Sequence, residues 1–298
     1  MVRLKLSLAL NYEIFSAPAD FIFNIHAAKT DHQTVVEEDL FISQPVESHV
    51  HTVAASCNRY LRVTAQPGPL TVRYRATVDI SHQVSAPGHL AEVPVALLPP
   101  ESLDYVYPSR YCQSDRLGRL AIREFGNLPM GYGRVQAIRD WVNQRVAFTS
   151  NSSNATTSAT DTLVDQAGVC RDFAHLMIAL CRAVNIPARF TTGIDFGADP
   201  ALGPTDFHAY VEAFLGGRWY MFDPSGTAIP MGFVRFGTGR DAADVSFATI
   251  FGSVASQAPV IQVEAQEDPV RGFVMPYHCA EALSTDAGMC RGGNPESR

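Results

Sequence analysis

Gly168-Val-Cys-Arg-Asp-Phe-Ala-His-Leu-Met-Ile-Ala-Leu-Cys-Arg-Ala-Val-Asn-Ile-Pro187 carries the clearest periodicity in the chain. Apolar residues recur at Phe173, Leu176, Met177, Leu180, Cys181 and Val184, which is one stripe of a 3.6-residue helix. The pattern predicts a helix that opens just after Gly168-Val169-Cys170. It stops at Asn185, because the Pro187 ring and its missing N–H cannot continue a helix. Upstream, the stretch 101–150 reads helical, with Val135, Ile138, Trp141 and Val142 on one stripe. Downstream, Ala188–Ile194, His208–Leu215 and Arg218–Asp223 read as strands, and Gly216-Gly217 between the last two is a two-residue hairpin signal. A helix packed on an antiparallel sheet, an α+β core, is the expected centre of the molecule.

Further out, residues 2–98 look all-β. Leu4–Leu10, Phe21–His26, Gln33–Ser43, His49–Ala55, Tyr60–Ala65 and Leu70–Ser81 are short runs rich in Val, Ile, Thr and aromatics, separated by turn residues such as Gln66-Pro67-Gly68-Pro69. Strands at this spacing suggest a small antiparallel β-sandwich. Pro99-Pro100 breaks the pattern, which predicts a first domain over 1–98 and a second over 99–265. Residues 266–298, ending in Arg291-Gly-Gly-Asn-Pro-Glu-Ser-Arg298, read as a poorly structured tail. The polar stretch Ser150–Thr160 reads as a loop. Its two sequons, Asn151-Ser-Ser and Asn154-Ala-Thr, are taken as chance matches in a chain with no secretion signal.

The 298 residues carry 23 Lys plus Arg against 30 Asp plus Glu, a net charge of −7. That balance argues against a nucleic-acid partner, which calls for a basic face. Apolar residues make up 46% of the chain, enough to build a core and to exclude disorder as a whole-chain description. The six cysteines at 57, 112, 170, 181, 279 and 290 form no CxxC pair, so neither a zinc ribbon nor a redox motif is supported. Ala17-Pro18-Ala19 mimics a signal-peptidase site, but Asn11 and Glu13 interrupt the apolar run before it, and Leu4, Leu6, Leu8 and Leu10 alternate like a strand. No run approaches a membrane span. The cytosol, where thiols stay reduced, is the expected compartment.

Cys170 stands at the mouth of the predicted helix, before the apolar stripe begins. A helix start offers unpaired N–H groups and about half a positive charge, and a thiol placed there ionises more readily. Cys181, on the stripe itself, reads as a small core residue. In the hairpin, Ala209, Val211, Ala213 and Leu215 should face the core, leaving His208, Tyr210, Glu212 and Phe214 on the other side. With Gly216-Gly217 as the loop, Tyr210 lies opposite Asp223 and His208 opposite Ser225. Asp223 is then the diagonal neighbour of His208 at ~7–8 Å between Cα atoms, within reach of a hydrogen bond between side chains. A thiol at a helix start, a base, and an acid that orients the base form the arrangement for nucleophilic acyl transfer.

Gly168-Val-Cys-Arg-Asp-Phe-Ala-His175, Asp206-Phe-His-Ala-Tyr-Val-Glu-Ala213 and Trp219-Tyr-Met-Phe-Asp-Pro224 resemble the three motifs of the transglutaminase-like superfamily. Tyr107–Asp115, Ala137–Val142 and Phe247–Gly252 are similar to its bacterial branch of cysteine proteases, in which a β-rich domain precedes the core. The resemblance implies a papain-like α+β core with Cys170 as nucleophile, His208 as base and Asp223 as orienting acid. It implies amide-bond hydrolysis of a peptide or isopeptide through a thioester, with protein-glutamine acyl transfer and a non-catalytic binding module as alternatives. Calcium, which animal relatives use, is not carried over, because no D-x-[DN]-x-[DN]-G loop is present; no cofactor is expected. Oligomeric state is not legible.

Weaker candidates have ordinary roles as their first reading. Asp172 would cap the helix or pair with Arg171, His175 would pack or hydrogen-bond, and Arg110 and Tyr111 could line a cleft. His278, Cys279 and Cys290 offer too few ligands for a good metal site. Gly237-Thr-Gly239 lacks the strand-to-helix context of a nucleotide loop. The backbone N–H of Cys170 is the natural first oxyanion donor.

Overall fold

The computed structural model describes residues 1–197 and 205–286. In β1 (Val2–Ile14), Leu4, Leu6, Leu8 and Leu10 turn to one buried face while Lys5 is exposed on the other. The strands β2 (Ala19–Phe23), β3 (Gln33–Ile42), β4 (Ser48–Thr52), β5 (Arg59–Ala65) and β6 (Gly68–Ile80) follow. β1, β6 and β3 lie in one antiparallel sheet, and β2, β5 and β4 lie in a second. The leucines of β1 meet Phe21, Phe23, Leu61, Val63, Val72 and Tyr74 in a shared apolar cluster. Each fully buried Leu or Phe there contributes about 1.5–3 kcal/mol relative to exposure. The N-terminal region is the sheet-rich unit that the alternation predicts.

β7 (Gln83–Ser85) leads into the helical part of the chain. It contains α1 (Ser114–Phe125), α2 (Tyr132–Arg145), β8 (Ala147–Phe148), α3 (Ala159–Asp165), β9 (Ala167–Gly168) and α4 (Cys170–Ala183). The predicted loop over 150–160 gives way to α3 two residues early, where Asp161 closes back onto the Ser158 N–H at 2.9 Å. α4 ends where the sequence places its stop, with Asn185 in the left-handed region at φ 64°.

Four antiparallel strands complete the core: β10 (Ala188–Asp195), β11 (Phe207–Leu215), β12 (Arg218–Phe222) and β13 (Phe233–Gly239), in the order β12-β11-β10-β13. The hairpin register is the one that the two-glycine loop implies, with Leu215 opposite Arg218 and Val211 opposite Phe222. Gly216 and Gly217 both adopt positive φ, as a tight hairpin turn requires. Ala209, Val211, Ala213 and Leu215 pack with Phe173, Leu176, Met177 and Leu180 of α4 in one core. The fold is a mixed helix-and-sheet core behind a sheet-rich N-terminal region.

β14 (Ala248–Phe251), β15 (Val254–Ser256) and β16 (Val260–Gln266) differ from expectation. The sequence reading groups them with the second domain, yet β14 pairs with β2 while β15 and β16 pair with β1. They cover edges that would otherwise present unpaired N–H and C=O groups. The expected tail also contributes structure: β17 (Ala282–Ser284) pairs with β7, and Asp286 forms an ion pair with Arg189 at 3.1 Å. Residues 287–298, including Cys290 and the expected frayed end, lie outside the described residues. No helix among the described residues is long and apolar enough to cross a membrane.

Candidate active site

Cys170 is the first residue of α4. The turn is closed by Asp172, whose carboxylate accepts from the Val169 N–H at 2.9 Å and pairs with Arg171 at 3.0 Å. This is the capping role expected of Asp172. Gly168 is required beside it, since a Cβ there would sit 2.8 Å from the Asp172 Cβ. The half-buried Cys170 sulfur lies 3.8 Å from the carbonyl oxygen of Phe207, the residue before His208, and the thiol beside the His208 ring favours its charged form. The start of α4 and the start of β11 therefore meet at the thiol.

The His208 Nε2 lies 3.5 Å from Asp223 Oδ1, an ion-pair contact longer than a well-made hydrogen bond. Asp223 is held by its own turn. It accepts from the Ser225 N–H at 2.9 Å, the Ser225 hydroxyl at 2.6 Å and the Ala228 N–H at 3.2 Å. Asn143 on α2 fixes that turn from outside, donating to the Pro224 and Ser225 carbonyls at 3.1 and 3.0 Å. Three residues separated by 38 and 15 positions are thus brought together.

Electrostatics accompany the geometry. Burial alone would lower the His208 pKa, but attraction from Asp195 and Asp223, with the close approach of Asp223 and Cys170, holds it well above the ordinary value. Burial would raise Asp223, yet the nearby His208 charge and the hydrogen bonds it accepts from Ser225 and Ala228 keep it below the ordinary carboxylate value.

The sequence of the two halves matches family models in the same order as the structure. Residues 2–101 match the bacterial transglutaminase N-terminal domain and residues 120–224 match the transglutaminase-like superfamily core. A Cytophaga hutchinsonii structure named "a Putative Cysteine Protease" is 38% identical and superposes with a TM-score of 0.86, over 95% of this chain and 97% of that one. The chain belongs to the transglutaminase-like superfamily. Among curated relatives, an uncharacterized Mycobacterium leprae protein is 32% identical over 38% of this chain. This chain spans 42% of that relative's length. An uncharacterized Mycobacterium bovis protein is 26% identical over 72% of this chain and 74% of its own.

The other sequence candidates of this transglutaminase-like chain take structural places. His175 is fully buried, stacks on Tyr111 with ring centroids 5.0 Å apart, and accepts from the Ala242 N–H at 3.2 Å. Burial, with Arg171 and Arg182 nearby, pushes its pKa well down. Tyr111 is buried, donating its N–H to Asp241 and its hydroxyl to the Ala155 carbonyl. Exposed Arg110 lies over the Tyr111 ring, with 5.0 Å between guanidinium carbon and centroid. Cys181 is wholly buried on the α4 stripe, and burial pushes its thiol up to about 12. His278, Cys279 and their surroundings form no group of three potential metal ligands among the described residues.

Sequence reasoning missed Asp195 and Asn143. Asp195 closes β10, and the long connection to β11 hides from the sequence how the two strands align. Asn143 lies on the polar side of a helix, and nothing in its spacing points to residues 224 and 225.

Proposed function

We propose that the protein is a thiol-dependent amide-bond hydrolase acting on a peptide or isopeptide. Cys170 is the nucleophile, His208 the base and then the acid, and Asp223 the residue that orients the ring. The observation carrying this reading is the meeting of Cys170, His208 and Asp223 where a helix start, a strand and a turn converge. In the first half-reaction His208 takes the thiol proton and the sulfur bonds to the carbonyl carbon. The Cys170 N–H, unpaired within the helix, faces the developing oxyanion. The C–N bond then breaks as His208 passes its proton to the leaving amine, and a thioester remains. Water, deprotonated by His208, attacks the thioester and releases a carboxylic acid and the thiol. An amine in place of water would give acyl transfer by the same route. Hydrolysis is favoured by the likeness along nearly the whole chain to the Cytophaga protein named for protease activity.

The test is a peptide library containing glutamine and isopeptide bonds, incubated with the protein with and without an added primary amine and read by mass spectrometry. The expected product is the free acid in both conditions, lost in Cys170→Ala. An amine adduct as the main product would replace hydrolase with acyl transferase. No Cys170-dependent product from any library member would favour a binding module.

A further inference from the structure

Asp195 closes β10 with its side chain fully buried. Gly193 pairs with His208 across the β10–β11 ladder. Asp195, two residues on, therefore lies on the same face and diagonal to His208. Gly193 cannot carry a side chain, because a Cβ there would sit 1.9 Å from the Val234 carbonyl oxygen. The Asp195 Oδ1 accepts from the Tyr210 hydroxyl at 2.9 Å, while Oδ2 lies 3.8 Å from His208 Nδ1. Oδ2 has no hydrogen-bond partner among the described residues. A carboxylate removed from water and left half-satisfied costs several kcal/mol unless a charge faces it. The charged and titratable groups around it are His208 and Tyr210 on β11 and Asp223 after β12, with Cys170 beyond Tyr210. His208 is the cationic partner in reach.

Resting on the Cys170–His208–Asp223 reading, we propose that Asp195 is a second positioning carboxylate for His208. Its charge lies 3.8 Å from Nδ1 while Asp223 faces Nε2. Asp223 orients the ring from Nε2, while Asp195, too far to hydrogen-bond, acts on Nδ1 by charge alone, favouring the imidazolium and leaving Nδ1 open to exchange its proton with Cys170 and the leaving amine. Burial is the main force raising Asp195, opposed by the His208 charge and the Tyr210 hydroxyl and reinforced by Asp223, and it brings the carboxyl to about 7. Asp195 therefore ionises near neutrality, and its hold on the imidazolium strengthens as pH rises through that point.

The test follows the His208 ring by NMR against pH in the full chain, its signal identified by its loss in His208→Ala. Asp195→Asn keeps the shape and removes the charge. It should lower the His208 midpoint by about one pH unit, a tenfold weaker hold on the proton. Tyr210→Phe removes the donor to Asp195 Oδ1, disfavours the anion, and should lower the midpoint by less. Because Tyr210→Phe is isosteric, it decides the matter if Asp195→Asn does not fold. An unchanged midpoint in these variants overturns the role of Asp195. Iodoacetamide labelling of Cys170 in His208→Ala separates the two ideas. If His208→Ala slows labelling while the midpoint ignores Asp195 and Tyr210, the triad stands and only Asp195 loses its role. If His208→Ala leaves labelling unchanged, the triad reading fails and the role of Asp195 fails with it.

Discussion

The pair of strands β10 and β11 buries two carboxylates on one face and treats them in opposite ways. At one end Glu212 is fully buried and fully matched. Arg189 donates to its Oε2 at 2.7 Å, Arg235 reaches its other oxygen, and Thr285 and Asp286 from the C-terminal strap bind the same arginines. At the other end Asp195 has one hydroxyl and one imidazole, and an oxygen with no hydrogen bond among the described residues. Burial is common to both, so burial does not mark the candidate site. What marks it is incomplete neutralisation: Glu212 faces two permanent cations, whereas Asp195 and Asp223 face a ring that can give its proton away.

The largest expected effect tests that contrast. Glu212→Ala would leave Arg189 and Arg235 buried without their carboxylate, and should cost about 3–5 kcal/mol in urea unfolding. Asp195→Asn removes a charge that no permanent cation balances, and should change stability by less than about 1 kcal/mol. Equal losses would break the comparison, because Asp195 would then be structural in the way Glu212 is.

A second test contrasts two buried histidines. His26 packs on Tyr74 with centroids 4.6 Å apart, and burial together with repulsion from Arg59 lowers its pKa to about 4. The unfolded chain binds a proton near 6.5, so His26 makes the fold lose stability as pH falls from about 6.5 through about 4, by up to about 3 kcal/mol. His208 is raised, so its contribution has the other sign: present below about 6.5, and lost as pH rises through its folded value. Urea unfolding against pH should show the acid loss reduced in His26→Phe, with His82 and His175 still supplying a part of the same sign, and retained in full in His208→Gln. Retention of the full acid loss in His26→Phe would remove His26 from its causes.

Local pattern made much of this architecture readable. The stripe from Phe173 to Val184 sets which face of α4 is buried, and Gly216-Gly217 sets the register that puts Asp223 diagonal to His208. The readable parts are those where one short segment dictates its own geometry. Where distant segments pair, the sequence is silent. Nothing in Val260–Gln266 says that it completes the edge of β1, and nothing in Ala282–Ser284 says that it joins β7. Asp195 was hidden for the same reason, since its diagonal relation to His208 exists only once β10 and β11 align.

The central claim is that Cys170 and His208 act as a unit, and the direct measurement is the iodoacetamide rate at each thiol, resolved by mass spectrometry at neutral pH. Cys170 and Cys279 are both half-buried, whereas Cys112 and Cys181 are buried, so Cys279 is the internal reference for access. Cys170 should react at least about tenfold faster than Cys279. His208→Ala should bring it to the reference rate, and Asp223→Asn should bring it part of the way. A Cys170 that reacts no faster than Cys279, and at a rate His208→Ala leaves unchanged, would contradict the account.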